Sequence, residues 1–282
     1  MVALPLALGS WVRNRANEPP WQLKNLYFEK NPTNQAEQVA LIERPALVSF
    51  LSAGDGPGRR LYRQPGFSNG DLFHVSGSEL YKHHMEVNRT VTTTQITGLI
   101  DGTGRPDIAA DYSRLWITDG VTLQYTDGSA ALTAITTPDD IPMISLDVFN
   151  GYIICVQDNS DRFYWTQPGA IIIDPLDFAT AERLPDAASQ VRAIGDEFWI
   201  FGYKSIEPFR ATGDATAPFQ RIEGRRFDHG VFDGTAVQMK GASVICVSDE
   251  GTVYEISGTE QPISDPSVAE RTRDAILAAL GG

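Results

Sequence analysis

At 282 residues, 42% of them hydrophobic, the chain is long enough to bury one large all-β core or two ordinary ones. Its 23 basic against 36 acidic residues give a net charge of −13. That excludes a domain that grips nucleic acid by neutralising phosphates, but permits one that DNA slides past, because an acidic wall repels the polyanion.

The chain opens on an apolar stretch, Val2 to Gly9, which no Lys or Arg precedes and Pro5 interrupts, so it reads as an ordered edge strand rather than a signal peptide. No run approaches the roughly 20 apolar residues that span a bilayer, and no membrane contact is expected. The segment from Gly9 to Pro45, rich in Asn, Pro and aromatics, is too irregular to form a propeller blade; residues 1–37 are expected to be extended and to contact neighbours.

Five segments then share one pattern: an apolar strand, a tight polar turn, and a second strand bearing an aromatic residue. They are Leu72–Tyr81, Leu115–Tyr125, Tyr152–Trp165, Phe198–Phe209 and Val244–Ile256. Asp119-Gly120 and Glu250-Gly251 supply the positive φ of tight hairpin turns, and the strands are mostly β-branched or aromatic. The anchors Val75, Ile117, Val156, Phe201 and Val247 lie 42, 39, 45 and 46 residues apart, the spacing of four-stranded propeller blades. Such a blade cannot bury both of its faces alone and must stack around an axis. The fold predicted is an all-β propeller of five to six blades, six favoured, over residues 38–265. The sixth blade would be completed from Val39–Ile42 and Ala46–Phe50, closing the ring by pairing N-terminal with C-terminal strands. A two-sheet sandwich is the alternative. Residues 266–282 read as a short C-terminal helix, with Ser267 and Glu270 as a capping box and Gly281 as its terminating glycine.

Sites for chemistry are few. His83 and His84 are adjacent in a strand and point to opposite faces, a poor geometry for shared metal ligation. Asp158–Asp161 lacks the frame of a calcium loop and reads as a hairpin turn. Gly54–Gly58 is glycine-rich, yet no Lys-Ser or Lys-Thr follows to make it a phosphate cradle. Asp139, Asp140 and Glu207 could pair as glycosidase carboxylates only if the fold brought them together. Trp11, Trp21 and Trp116 with Tyr27 and Tyr62 read as core rather than as a stacking platform for single strands. Cys155 and Cys246 sit in apolar runs as small buried hydrophobes, which suits a reducing compartment. No catalytic residue, metal or cofactor is expected.

A collinear set of motifs carries a resemblance. Leu8-Gly-Ser-Trp11 is followed by Leu23–Glu29 (Leu-Lys-Asn-Leu-Tyr-Phe-Glu), Arg59–Tyr62, Leu72–Tyr81, Glu197–Gly202, Ser205-Ile-Glu207, and Thr212-Gly213 running to Pro218–Arg221. From about residue 8 to residue 265 this order resembles the packaged-DNA stabilisation proteins, also called tail hub or nozzle proteins, of short-tailed phages. The motif residues matched are Gly9, Trp11, Asn25, Leu26, Tyr27, Glu29, Gly202 and Glu207, which the resemblance implies serve assembly. It further implies a structural, non-enzymatic protein of the virion, assembled in the host cytoplasm. The propellers would form a homo-oligomeric, hexameric ring below the portal and its adaptor and above other tail components. That ring retains the packaged double-stranded DNA and lets it pass without specific binding. Members of the family generally continue beyond the propeller, whereas this chain ends soon after its fifth hairpin, which points to a shortened hub or a stopper-like role. A carbohydrate-active enzyme or lectin and a cellular scaffold propeller remain the alternatives.

Overall fold

The computed structural model describes residues 26–30, 39–43, 51–129, 131–181, 184–225, 227, 229–257 and 259–279. Residues 1–52 with 265–267 form one compact unit, and residues 53–264 with 268–282 form the other.

In the first unit, β1 (Leu26–Lys30) pairs antiparallel with β2 (Val39–Glu43), Tyr27 opposite Ile42, as a separate two-stranded sheet. The stretch expected to be extended therefore contains a strand. The strand expected to begin a sixth blade spends its hydrogen bonds on β1 instead. Ala46–Phe50, its intended partner, lies outside the described residues.

The second unit is a five-bladed propeller, so the favoured count of six is corrected to five. Blade 1 comprises β3 (Gly58–Arg63), β4 (Leu72–Ser76), β5 (Glu79–Met85) and β6 (Val91–Ile96). Blade 2 comprises β7 (Asp107–Ala110), β8 (Leu115–Thr118), β9 (Leu123–Thr126) and β10 (Thr133–Ile135). Blade 3 is β11 (Met143–Phe149), β12 (Tyr152–Gln157), β13 (Arg162–Thr166) and β14 (Phe178–Thr180). Blade 4 is β15 (Ala188–Ile194), β16 (Glu197–Gly202), β17 (Ile206–Ala211) and β18 (Phe219–Arg221). Blade 5 is β19 (Val237–Lys240), β20 (Ser243–Val247), β21 (Val253–Ile256) and β22 (Glu260–Pro262). Each blade is an antiparallel meander of four consecutive strands. The expected pairing of N-terminal with C-terminal strands is accordingly absent from the described residues: every ladder is satisfied inside its own blade.

The five sequence hairpins are the two middle strands of each blade, and all five spacing anchors fall on the second strand. Gly120 and Gly251 adopt φ of +81° and +86°, as their turns require. Asp119 reinforces the first of these turns, its Oδ1 accepting from the backbone N–H groups of Val121 and Thr122 at 2.8 and 2.7 Å.

Blades are joined through apolar seams. Phe73, Val75, Ile108 and Ile117 fill the seam between blades 1 and 2. Trp116, Leu146, Cys155 and Tyr164 fill that between blades 2 and 3. Phe163, Val191, Phe198 and Phe209 fill that between blades 3 and 4, and Trp199, Phe201, Val244 and Cys246 that between blades 4 and 5. Both cysteines are free and fully buried, as read, and burial pushes each thiol up to about 12, where it is unreactive.

The helix α1 spans Pro266–Ala279. Its cap differs from the one expected: Asp265 accepts from the Ser267 N–H and hydroxyl at 2.9 and 2.6 Å, with Pro266 opening the first turn. Gly281 lies outside the described residues. The helix seats against the β20–β21 turn, where a Cβ on Gly251 would come within 2.7 Å of the Arg273 backbone nitrogen.

Candidate functional site

Propeller sites form where first strands converge. Here β11 packs on both β7 and β15, and β3 on β7, so the first strands of blades 1 to 4 meet. Three first strands carry a β-bulge immediately after their opening residue, between Gly58 and Arg60, between Met143 and Ser145, and between Ala188 and Gln190. A bulge inserts an extra residue and re-aims the side chains that follow. Arg60, Ser145 and Gln190 consequently gather around Asp107, which β7 brings in from the preceding connector.

Asp107 is the hub. Arg192 grips it with both arms, Nη1 donating to Oδ2 at 2.8 Å and Nη2 to Oδ1 at 2.9 Å. Ser145 Oγ, Gln190 Nε2 and the Leu146 N–H also donate to Oδ2 at 2.8, 3.1 and 3.2 Å. Arg60 Nη2 stands 3.5 Å from Oδ1. Burial opposes ionisation of Asp107, but the charge and hydrogen bonds of Arg192, the charge of Arg60 and the bond from Ser145 prevail, and its pKa ends below the ordinary 3.8. Asp147, one turn of the β11 pleat further along, accepts from the Ala193 and Val148 N–H groups at 2.8 Å. Its burial raises its pKa despite the charge of Arg192. Arg60, Asp107, Ser145, Gln190 and Arg192, from blades 1 to 4, thus form one hydrogen-bonded ion-pair cluster. Above it opens a cavity of about 240 Å³, lined by residues of several blades including Arg60, Arg105, Asp158, Tyr203 and Asp233.

Arg105, in the connector between blades 1 and 2, reaches across to blade 5. Its Nη1 donates to the Thr235 carbonyl and its Nη2 to Gln238 Oε1, both at 3.2 Å.

Gly9, Trp11, Trp21 and Asn25 lie outside the described residues. Leu26, Tyr27 and Glu29 fall on β1, and Gly202 and Glu207 on blade 4. Gly202 packs so tightly that a Cβ would come within 2.3 Å of Asp186 Oδ2. Glu207 is 2% exposed and pairs with Arg221 at 3.3 Å. Asp139 and Asp140 occupy the connector before blade 3. The carboxylates weighed as a glycosidase set therefore stand on different elements, and none of them lines the axial cavity. Asp158–Asp161 forms the β12–β13 turn, and Gly54 packs against Ser76. His83 is buried and bonds Thr93 Oγ1 at 2.9 Å, while His84 pairs with Asp71 at 2.6 Å, on opposite faces as read. Trp116 and Tyr62 are packed in the blades, the Tyr62 hydroxyl accepting from the Ala110 N–H at 2.8 Å.

The hub was missed by sequence reasoning. Its only signal was the presence of charged residues in otherwise apolar runs after connectors, Asp107-Ile-Ala-Ala110 and Ser189-Gln-Val-Arg192, segments that lack the hairpin pattern.

A family model described as Bacteriophage P22 Gp10, beta-propeller, matches residues 41–280. No curated protein sequence matches the chain. Among solved structures, YCF48 from Cyanidioschyzon merolae is 13% identical over 71% of this chain and 70% of that one, with a TM-score of 0.46. The Cps50 (Swd1) β-propeller domain of Myceliophteria thermophila is 10% identical over 73% and 75%, with a TM-score of 0.48. Kluyveromyces lactis Hsv2 is 16% identical over 71% of this chain and 61% of that one, with a TM-score of 0.44. Nothing below rests on these three.

Proposed function

We propose, from the premise that this chain belongs to the bacteriophage P22 Gp10 β-propeller family, that it is a structural subunit of a phage tail or head-to-tail connector. Its copies form a ring-shaped hub that retains packaged DNA and lets it pass during ejection. Family membership implies a place in the virion; the ring, its six subunits, its adaptor and tail neighbours, and its non-enzymatic character belong to this proposal.

The buried cluster where first strands meet is the observation that supports a reading of how such a hub works. Asp107 and Arg192 bind blade 2 to blade 4, and the cavity they line is about 240 Å³, enough for a small molecule and far too little for a duplex. DNA therefore passes between subunits, not through one. The net charge of −13 supports a lumen with an acidic wall, where repulsion keeps the polyanion from adhering.

The N-terminal segment supplies the contact between copies. A two-stranded sheet is marginally stable by itself, and β1 with β2 is such a sheet; assembly gives it a surface to pack on. The matched residues Gly9, Trp11, Asn25, Leu26, Tyr27 and Glu29 belong to this segment, while Gly202 and Glu207 hold blade 4 in shape. Deleting residues 1–37 is expected to leave a folded monomer that no longer forms rings. Light scattering of the two proteins at equal concentration reads this directly, and an unchanged ring population in the truncated protein rejects it.

A further inference from the structure

We propose that the axial cavity is a binding site for a small oxyanion, an inorganic phosphate or a compact carboxylate, held by the guanidinium of Arg60 with Arg105 closing over it. Nothing in the role of a tail hub demands such a site, and the inference holds whether or not rings form.

The reason is a guanidinium without a close acceptor at the cavity floor. Arg60, Arg192 and Asp107 meet there with side chains no more than 14% exposed, and Asp147 lies buried close enough to Arg192 to act on its charge. Asp107 serves Arg192 in preference to Arg60. Its oxygens already accept two bonds from Arg192 and one each from Ser145, Gln190 and the Leu146 N–H. Arg60 is left with a single contact at 3.5 Å, too long for a good hydrogen bond, and no closer partner among the described residues. The unused donors of this guanidinium face the open cavity, where an anion can accept from them. Burial, together with the neighbouring charges of Arg105 and Arg192, lowers the pKa of Arg60 against the pull of Asp107, as expected of a cation short of counter-charge. A guanidinium also offers parallel N–H donors that match the paired oxygens of phosphate and carboxylate.

Arg105 forms the second jaw. Its two hydrogen bonds go to neutral acceptors, Thr235 O and Gln238 Oε1, so its charge too lacks a carboxylate in contact. The mouth sets the size limit. Asp158 is exposed there, and Asp233 stays beside the opening because its Oδ1 accepts from the Thr235 N–H and hydroxyl at 2.7 and 2.5 Å. These two carboxylates repel an extended polyanion at the rim, while a small anion that passes them meets Arg60 in a drier setting where attraction is stronger.

Calorimetric titration of the purified full chain at low ionic strength tests this, with inorganic phosphate and malonate as separate probes and sodium chloride at matched ionic strength as the blank. Saturable binding of either probe at one site per chain is expected, and the tighter of the two identifies the source as phosphate or carboxylate. Arg60→Gln is expected to weaken it about tenfold or more, the loss of a charge-assisted contact. Asp158→Asn is expected to tighten it by about threefold, by removing a like charge from the rim. Should Arg60→Gln fail to fold by circular dichroism, Arg105→Gln at the exposed rim carries the test, with weakening of at least about threefold expected. No saturable binding of either probe, or an affinity unchanged by the arginine substitutions, overturns the proposal.

Discussion

Replacing Asp107 by Asn is expected to cost about 3–5 kcal/mol of stability, because it removes the anion from a buried pair and leaves Arg192 without its bidentate partner. Asn keeps the size of the side chain, so packing does not confound the result. For a domain of this size the loss lowers the melting temperature by roughly 10 °C. The double variant Asp107→Leu with Arg192→Met is expected to lose less than the sum of its two single variants, because no charge then remains unpaired at that bond. Additive losses in the cycle contradict a coupled pair.

The same pair sets a response to acid. The pKa of Asp107 is depressed in the folded protein, so its contribution to stability is fully present above the ordinary 3.8 and is lost as pH falls below that value through the folded pKa. Denaturation midpoints measured from pH 6 downward are expected to fall more steeply in the wild-type protein than in Asp107→Asn, which has no proton to take up at this position. Parallel curves contradict the assignment.

Phe198→Ala is expected to cost a similar amount, about 3–5 kcal/mol, by opening a cavity in the seam between blades 3 and 4. Phe198 is completely buried, and its ring centroid lies 5.0 to 5.5 Å from those of Phe219, Phe149, Phe209 and Phe163. Four aromatic neighbours in edge, tilted and stacked arrangements cannot all move to fill the space left by one ring. Phe198→Leu, which keeps most of the volume, is expected to lose about half as much or less. In urea titrations the midpoint shifts while the slope stays constant, because the surface exposed on unfolding hardly changes. A loss below about 1 kcal/mol for Phe198→Ala shows that the seam collapses and that the blades are less tightly fitted than these distances imply.

What could be read in the sequence follows from which interactions are local. A blade's two middle strands are joined by a turn of a few residues, so Asp119-Gly120 or Glu250-Gly251 between apolar runs displays hairpin and register together. That is why the period and the anchors from Val75 to Val247 were legible. The fourth strands of blades 2 to 5 are shorter: β10, β14, β18 and β22 have three residues each, too few for alternation to register. The blade count failed for a related reason. Val39–Glu43 has the composition of a blade strand, and composition does not say which neighbour a strand pairs with; the ladder with Leu26–Lys30 does.

The axial cluster was the least legible part. Asp107 and Arg192 are 85 residues apart, in strands of different blades, and meet only because the ring brings first strands together. The bulges that aim Ser145 and Gln190 at Asp107 have no signature in the run of residues that contains them. Helix capping illustrates the opposite case at short range. Ser267 with Glu270 and Asp265 with Pro266 are both acceptable starts, and the structure takes the one with the stronger acceptor and the proline already in the first turn.

One measurement bears most directly on the claim that this is a building block around DNA and not a tube for it: electron cryomicroscopy of the purified chain incubated with the portal, its adaptor and duplex DNA. Expected is a closed ring of propellers whose DNA density runs between subunits while every propeller axis remains filled at Asp107 and Arg192. A chain that stays solitary in the presence of those partners, or DNA density threaded along the axis of a single propeller, contradicts it.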